Sequence, residues 1–143
     1  MNKEEKELLL RDLCNRLPYN VMCQVEFKED GKYNSKVMLL SGIFTDEAYF
    51  TTKGGSVYSN EYKPYLFPLS SMTSEQLFEV QEIMGKNEIE IEDGFFNIID
   101  SSRNTITYLE ILAVLEWFYK NHFDINGLIE KGLAIDATGL NIY

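Results

Sequence analysis

The stretch Glu61–Gln76, where strand-like sequence gives way to a helix start, constrains the fold more than any other. Pro64 and Pro68 hold the backbone extended and bias Lys63 and Phe67 away from helical angles, so the run reads as an edge strand or a strap. Thr73 and Gln76 form a capping-box pattern, the threonine hydroxyl meeting the Gln76 amide while the glutamine reaches back to the threonine amide. Met72 and Leu77 stand where a hydrophobic staple clamps the incoming chain. The stretch is a rigid joint between a β-rich half, residues 1–69, and a helix-rich half, residues 70–143, of one domain. It carries no chemistry of its own.

The flanking patterns give the architecture. Asn2 caps a first helix that runs to Leu17, with Leu9, Leu10, Leu13, Cys14 and Leu17 as its apolar stripe and Lys6, Arg11, Asp12 and Arg16 largely off it. Such a leucine-rich helix packs on its own core or supports a homodimer. Tyr19–Phe27 alternates, with Val21, Cys23, Val25 and Phe27 on the inward face. Asp30-Gly31 then turns the chain into Lys36–Phe44, where Gly42 marks a bulge or a close backbone approach. Glu47–Thr52 and, after Lys53-Gly54-Gly55-Ser56, a fourth run Val57–Leu66 complete an antiparallel meander or a small SH3-like barrel. The capped helix Ser74–Met84 stops at Gly85. Glu88–Glu92 and Phe95–Ile99 form a hairpin around Asp93-Gly94. Thr107 and Glu110 read as a capping box for a helix to about Asn121, apolar nearly all round and therefore expected at the centre of the core. Residues 127–132 read as a short C-terminal helical turn followed by a loose end. The fold class is α+β.

Composition excludes several function classes. At 143 residues the chain can bury roughly 68–70% of its unfolded surface, enough for a core without staples. No window holds the roughly 20 apolar residues of a membrane span, and the polar, acidic start is unlike a signal peptide, which points to the cytoplasm. Cys14 and Cys23 read as buried reduced thiols. With one histidine and two cysteines no closed zinc site is available, and no metal or cofactor is expected. The net charge is −10, and residues 75–100 hold eight acids against the single base Lys86. That surface repels phosphate backbones, which disfavours direct nucleic-acid binding. It suits solubility, a basic protein partner, or imitation of nucleic acid.

Candidate chemistry is sparse. His122 and Asp124 are the only base and carboxylate close in sequence, and they are the weak catalytic candidates. The plainer reading places the imidazole at a helix C-terminus, whose dipole favours its charged form, and makes the aspartate a cap. Glu88, Glu90 and Glu92 alternate to one side of their hairpin, with Asp93 in its turn; such acids could bind Ca²⁺ or Mg²⁺ but lack the Asp-x-Asp-x-Asp-Gly frame of a calcium loop, and a solvated strand face is the plainer reading. Lys53-Gly54-Gly55-Ser56 lacks a phosphate-loop frame, and Ser70-Ser71 lacks the setting of a nucleophile elbow. Tyr58, Tyr62, Tyr65 and Phe67, interleaved with Lys63, suit packing, the stacking of bases or the grip of a peptide.

Two blocks, Tyr62-Lys-Pro-Tyr-Leu-Phe-Pro-Leu-Ser-Ser-Met-Thr73 and Asn121-His-Phe-Asp124 with Gly127-Leu-Ile-Glu-Lys-Gly-Leu-Ala134, resemble a family of small uncharacterised proteins of gut Bacteroidetes and their phages or mobile elements. In that family an arginine commonly stands at the position of Phe67, and an aromatic–arginine pair at those of Ile125 and Asn126. This chain lacks those bases. The resemblance implies a cytoplasmic accessory protein of phage or prophage type and carries no activity with it. The expected function is therefore non-enzymatic protein binding through the acidic hairpin (Glu88, Glu90, Glu92, Asp93) or the aromatic strand (Tyr62, Lys63, Tyr65, Phe67). A nucleic-acid mimic and a small enzyme using His122 and Asp124 are the alternatives.

Overall fold

The computed structural model describes residues 1–45, 47–84, 88–92, 95–99 and 108–143, with 88–92 and 95–99 described by their backbone alone. Helix α1, Lys3–Arg16, starts at a full capping box: Asn2 Oδ1 accepts the Glu5 amide at 2.9 Å and Glu5 Oε2 accepts the Asn2 amide at 2.8 Å. Pro18 then sits in a 3-10 turn, Leu17–Tyr19, and Asn20 at φ 57° turns the chain into β1, Met22–Glu29. Asp30 and Gly31, at φ 50° and 78°, make the left-handed two-residue turn into β2, Lys32–Ile43. The β2–β3 register slips between Leu40 and Gly42 at a bulge, and β3, Ala48–Thr52, turns through Lys53-Gly54 into β4, Gly55–Ser59.

The run expected as one fourth strand is two. Asn60 separates β4 from β5, Glu61–Leu66, because β4 pairs with β3 while β5 crosses to pair with β1. At this corner the Ser59 hydroxyl donates to the Glu26 carbonyl at 2.6 Å and accepts the Glu61 amide at 3.0 Å, standing in for a ladder bond. The six-stranded sheet runs β4-β3-β2-β1-β5-β8, with β8 the short strand Ile135–Asp136; it is antiparallel except for its last pair and remains open rather than closing into a barrel. Strand β8 lies parallel to Tyr65 and Leu66, so β5 is not an edge over its whole length and the tail is not a loose end.

Beyond β5, α2 (Ser74–Ile83) begins at the expected Thr73–Gln76 capping box, and Met72 and Leu77 pack on one cluster as a staple requires. The hairpin of β6 (Glu88–Glu92) and β7 (Phe95–Ile99) pairs Glu88 with Ile99 and Glu92 with Phe95 as a separate sheet. The expected stop at Gly85, the turn Asp93-Gly94 and the Thr107 cap lie outside the described residues. Helix α3 is Tyr108–Lys120. Among the described residues no helix is long and apolar enough to cross a membrane.

Two apolar clusters meet at the joint. One places Leu9 and Leu13 against Val21, Cys23, Val25, Leu40, Phe50 and Leu66, sealed from the far end of the chain by Leu128 and Leu133. The other holds Leu69, Val80, Met84, Val114, Phe118 and Phe123. Three expectations change. The buried face of α1 contains Asp12 and Arg16, 1% and 0% exposed, beside Leu9 and Leu13, whereas Cys14 is exposed. The helix is rotated because the ion pair, not Cys14, meets the second half. Helix α3 is not buried all round: Val114 and Phe118 are, but Tyr108 and Leu109 are 73% and 74% exposed. A helix buries only the face its neighbours cover, and that face is the one toward α2 and Phe123.

Candidate functional site

His122 ends α3. It adopts φ 61°, its amide bonds to the Tyr119 carbonyl at 3.2 Å, and the Phe123 amide reaches back to Phe118 at 3.0 Å. This is a Schellman terminator in which histidine takes the left-handed place usual for glycine, with Phe123 edge-on to Phe118 as its apolar contact. The chain then bridges to the joint: Phe67 N–H donates to the His122 carbonyl at 2.9 Å, and Asp124 N–H donates to the Phe67 carbonyl at 2.8 Å. Both blocks singled out in the sequence, residues 62–73 and 121–134, are thus bonded to one another.

The joint is closed by ionic and aromatic contacts. Arg16 donates to Asp12 through Nε at 2.6 Å and Nη2 at 3.1 Å, and through Nη2 to the Phe123 carbonyl at 2.7 Å. Asn126 adds a bond to Asp12 at 2.8 Å. Tyr119 lies under the guanidinium, 5.0 Å from its ring centre. Tyr143 stacks on His122 at 3.8 Å and inserts its hydroxyl between β1 and β5, accepting from Met22 N–H at 3.2 Å and donating to the Tyr65 carbonyl at 2.7 Å. Burial pushes the Tyr143 and Cys23 hydrogens to well above their ordinary range, so both groups stay protonated.

The catalytic candidates do not form a couple. Asp124 is buried with both oxygens occupied, accepting the Leu128 amide at 2.9 Å and the Ile129 amide at 2.8 Å, and so caps the turn that follows. The imidazole is held down to about 4, by burial first and by Arg16 second, opposite to the charged form a helix dipole would favour. It is neutral at physiological pH, with Nδ1 and, nearby in charge, Arg16 Nη1 both buried without a hydrogen-bond partner. An open cleft of about 380 Å³ lies beside it, but the cleft's Ser71 hydroxyl donates to the Pro68 carbonyl and its Thr73 hydroxyl caps α2. Among the described residues no three His, Cys, Asp or Glu side chains converge on a metal position.

The binding candidates divide. Tyr65 is buried, and Phe67 is half-buried between Phe123 and Tyr143, 6.1 and 5.9 Å away. Tyr62 leans on Phe50 at 5.1 Å, its hydroxyl raised chiefly by burial. Lys63 is exposed and, with Tyr62, lines an open groove of about 620 Å³ with Glu5, Glu26, Glu61 and Lys131. Glu88, Glu90 and Glu92 occupy β6 opposite Ile99, Asn97 and Phe95, and Asp93 lies outside the described residues. The buried Asp12–Arg16 pair escaped the sequence reading, although Leu9, Asp12, Leu13 and Arg16 have the spacing of one helix face and the acid and base stand four apart. For Tyr143 no sequence signal existed.

The fold is that of an α+β protein built on an open, mostly antiparallel sheet. Comparison with protein-family models, with curated proteins and with solved structures finds no match.

Proposed function

We propose that this chain is a non-enzymatic protein-interaction protein, an accessory factor of phage or prophage type that works in the cytoplasm. One observation carries the reading: the groups best suited to chemistry are consumed by the fold, with Asp124 capping a turn, Asp12 neutralising Arg16, and His122 neutral and stacked on Tyr143. Among the described residues, charged and aromatic side chains line open grooves rather than an enclosed pocket with converging polar groups. The resemblance of residues 62–73 and 121–134 supports the accessory origin, and their mutual bonding suits blocks that hold a framework. A second reading, the acidic decoy of nucleic acid, is favoured by the exposure of Glu75, Glu79 and Glu82 along α2, one stretch before the glutamates of β6.

Affinity capture of the tagged chain from bacterial lysate, at low and then moderate salt, tests the proposal against an Ile89→Lys, Glu90→Lys variant and a Tyr62→Ala, Lys63→Glu variant. A stoichiometric partner kept by the natural chain and lost by one variant is expected. A partner that is itself a DNA-binding protein, released steeply by salt, selects the decoy. Retention of nothing at either salt sinks both.

A further inference from the structure

Among the described residues no strand pairs with the outer edge of β4. Because the turn Lys53-Gly54 is two residues long, Thr52 and Gly55 are a hydrogen-bonded pair, and alternation makes Phe50–Val57 and Ala48–Ser59 pairs of the same kind. Ser56 and Tyr58 therefore turn their N–H and C=O groups away from β3, toward a side on which, among the described residues, the sheet has no further strand. Sheets usually blunt such an edge with proline, lysine or a bulge. The partly open flank of β5 carries Pro64, whereas β4 reads Gly-Ser-Val-Tyr-Ser in regular register.

The surroundings define what fits there. A groove of about 600 Å³ separates β4 from the β1–β2 arm, with Val57 and Tyr58 on one wall and Phe27 and Lys28 on the other. Glu26, Glu47 and Glu61 line it against the one base Lys28, and all three are exposed. On the sheet's outer face Tyr58 packs on Tyr49 at 4.8 Å and on Phe44 at 5.9 Å. Tyr58 and Phe44 are each 55% exposed, so this cross-strand row stops at the edge with half its surface uncovered.

We propose that β4 is a docking edge for an extended segment of a partner protein, which adds to the sheet as a further antiparallel or parallel strand. It places aromatic or β-branched side chains beside Tyr58 and lysine or arginine toward Glu26, Glu47 and Glu61. Main-chain bonds to Ser56 and Tyr58 supply attachment, and the glutamates reject acidic segments. The inference rests on the interaction reading above and specifies its surface and partner chemistry.

The test pans a displayed library of short random peptides against the full chain and follows the enriched sequences as free synthetic peptides by amide hydrogen exchange. Enrichment of alternating sequences bearing lysine or arginine is expected, with exchange at Ser56 and Tyr58 slowed on binding. Affinity is expected to fall about tenfold or more in Tyr58→Lys and in Ser56→Pro. The proline removes only an outward-facing N–H, and unchanged protection along β1–β2 shows that either variant has folded. No enrichment over Tyr58→Lys, protection elsewhere, or self-association that protects these same amides overturns the proposal, the last because a second copy is then the occupant. If lysate capture succeeds and survives both β4 variants, this inference falls while the broader reading stands.

Discussion

Asp12 holds a charge that has nowhere else to go. Arg16 is fully buried, already has one unpartnered nitrogen, and draws two of its three bonds from Asp12. Asp12→Ala should therefore cost about 3–5 kcal/mol, the usual penalty for stranding a buried charge, whereas Asp12→Leu with Arg16→Met should recover most of it. Urea unfolding midpoints decide the matter, and a single-variant loss under about 1 kcal/mol would mean the pair is hydrated. His122 sets a pH dependence. With its folded value at about 4 and an ordinary value of 6.5, the unfolded chain binds a proton between those limits that the folded chain refuses. Stability from this group is complete above about pH 6.5 and drains away as pH falls toward 4, by on the order of 2–3 kcal/mol. His122→Asn, which tolerates the left-handed backbone, should flatten that part of the profile in urea titrations at about pH 4.5 and 7.5.

Both ends of the β1–β5 ladder are finished by hydroxyls, Ser59 at the Glu26–Glu61 end and Tyr143 at the Met22–Tyr65 end. Each lets two strands diverge without orphaning main-chain groups. Tyr143→Phe keeps the stack on His122 but removes the bridge, leaving one amide and one carbonyl unpaired. A loss of about 1–3 kcal/mol is expected, with faster exchange at the Met22 amide as the local signature. Were exchange to quicken globally and uniformly instead, the hydroxyl would be acting through the packing of the ring. At this scale the sequence was legible where the cause is local. The Asn2 cap, the Thr73–Gln76 box and the Asp30-Gly31 turn involve partners at most three residues apart. The split at Asn60 was not legible, because nothing in Val57–Leu66 announces that its halves pair with different neighbours.

Across the whole molecule the C-terminal segment locks the halves together. Leu128, Leu133 and Ala134 complete the first cluster, Asp136 pairs with Leu66, and the Ala137 amide donates to the Leu66 carbonyl at 2.8 Å. A chain ending at Ala134 loses β8 and Tyr143 together. It should lose more stability than Tyr143→Phe alone, with a broadened urea transition as the halves uncouple. A sharp transition at the Tyr143→Phe midpoint would show that β8 contributes little.

The sequence alone determined the α+β class, the capped helices and the tight hairpins, because caps, turns and periodicity are decided by groups within a few residues of one another. It named His122 and Asp124 together but left their roles open between chemistry and capping. Tertiary structure decided the rest: the burial of Arg16 against a carbonyl 107 residues away, the Tyr143 bridge across 121 residues, and the open seam beside β4. The reason is physical. Whether a charge is neutralised, a ring covered or a strand edge left free depends on which distant surfaces meet, and no local pattern encodes that meeting.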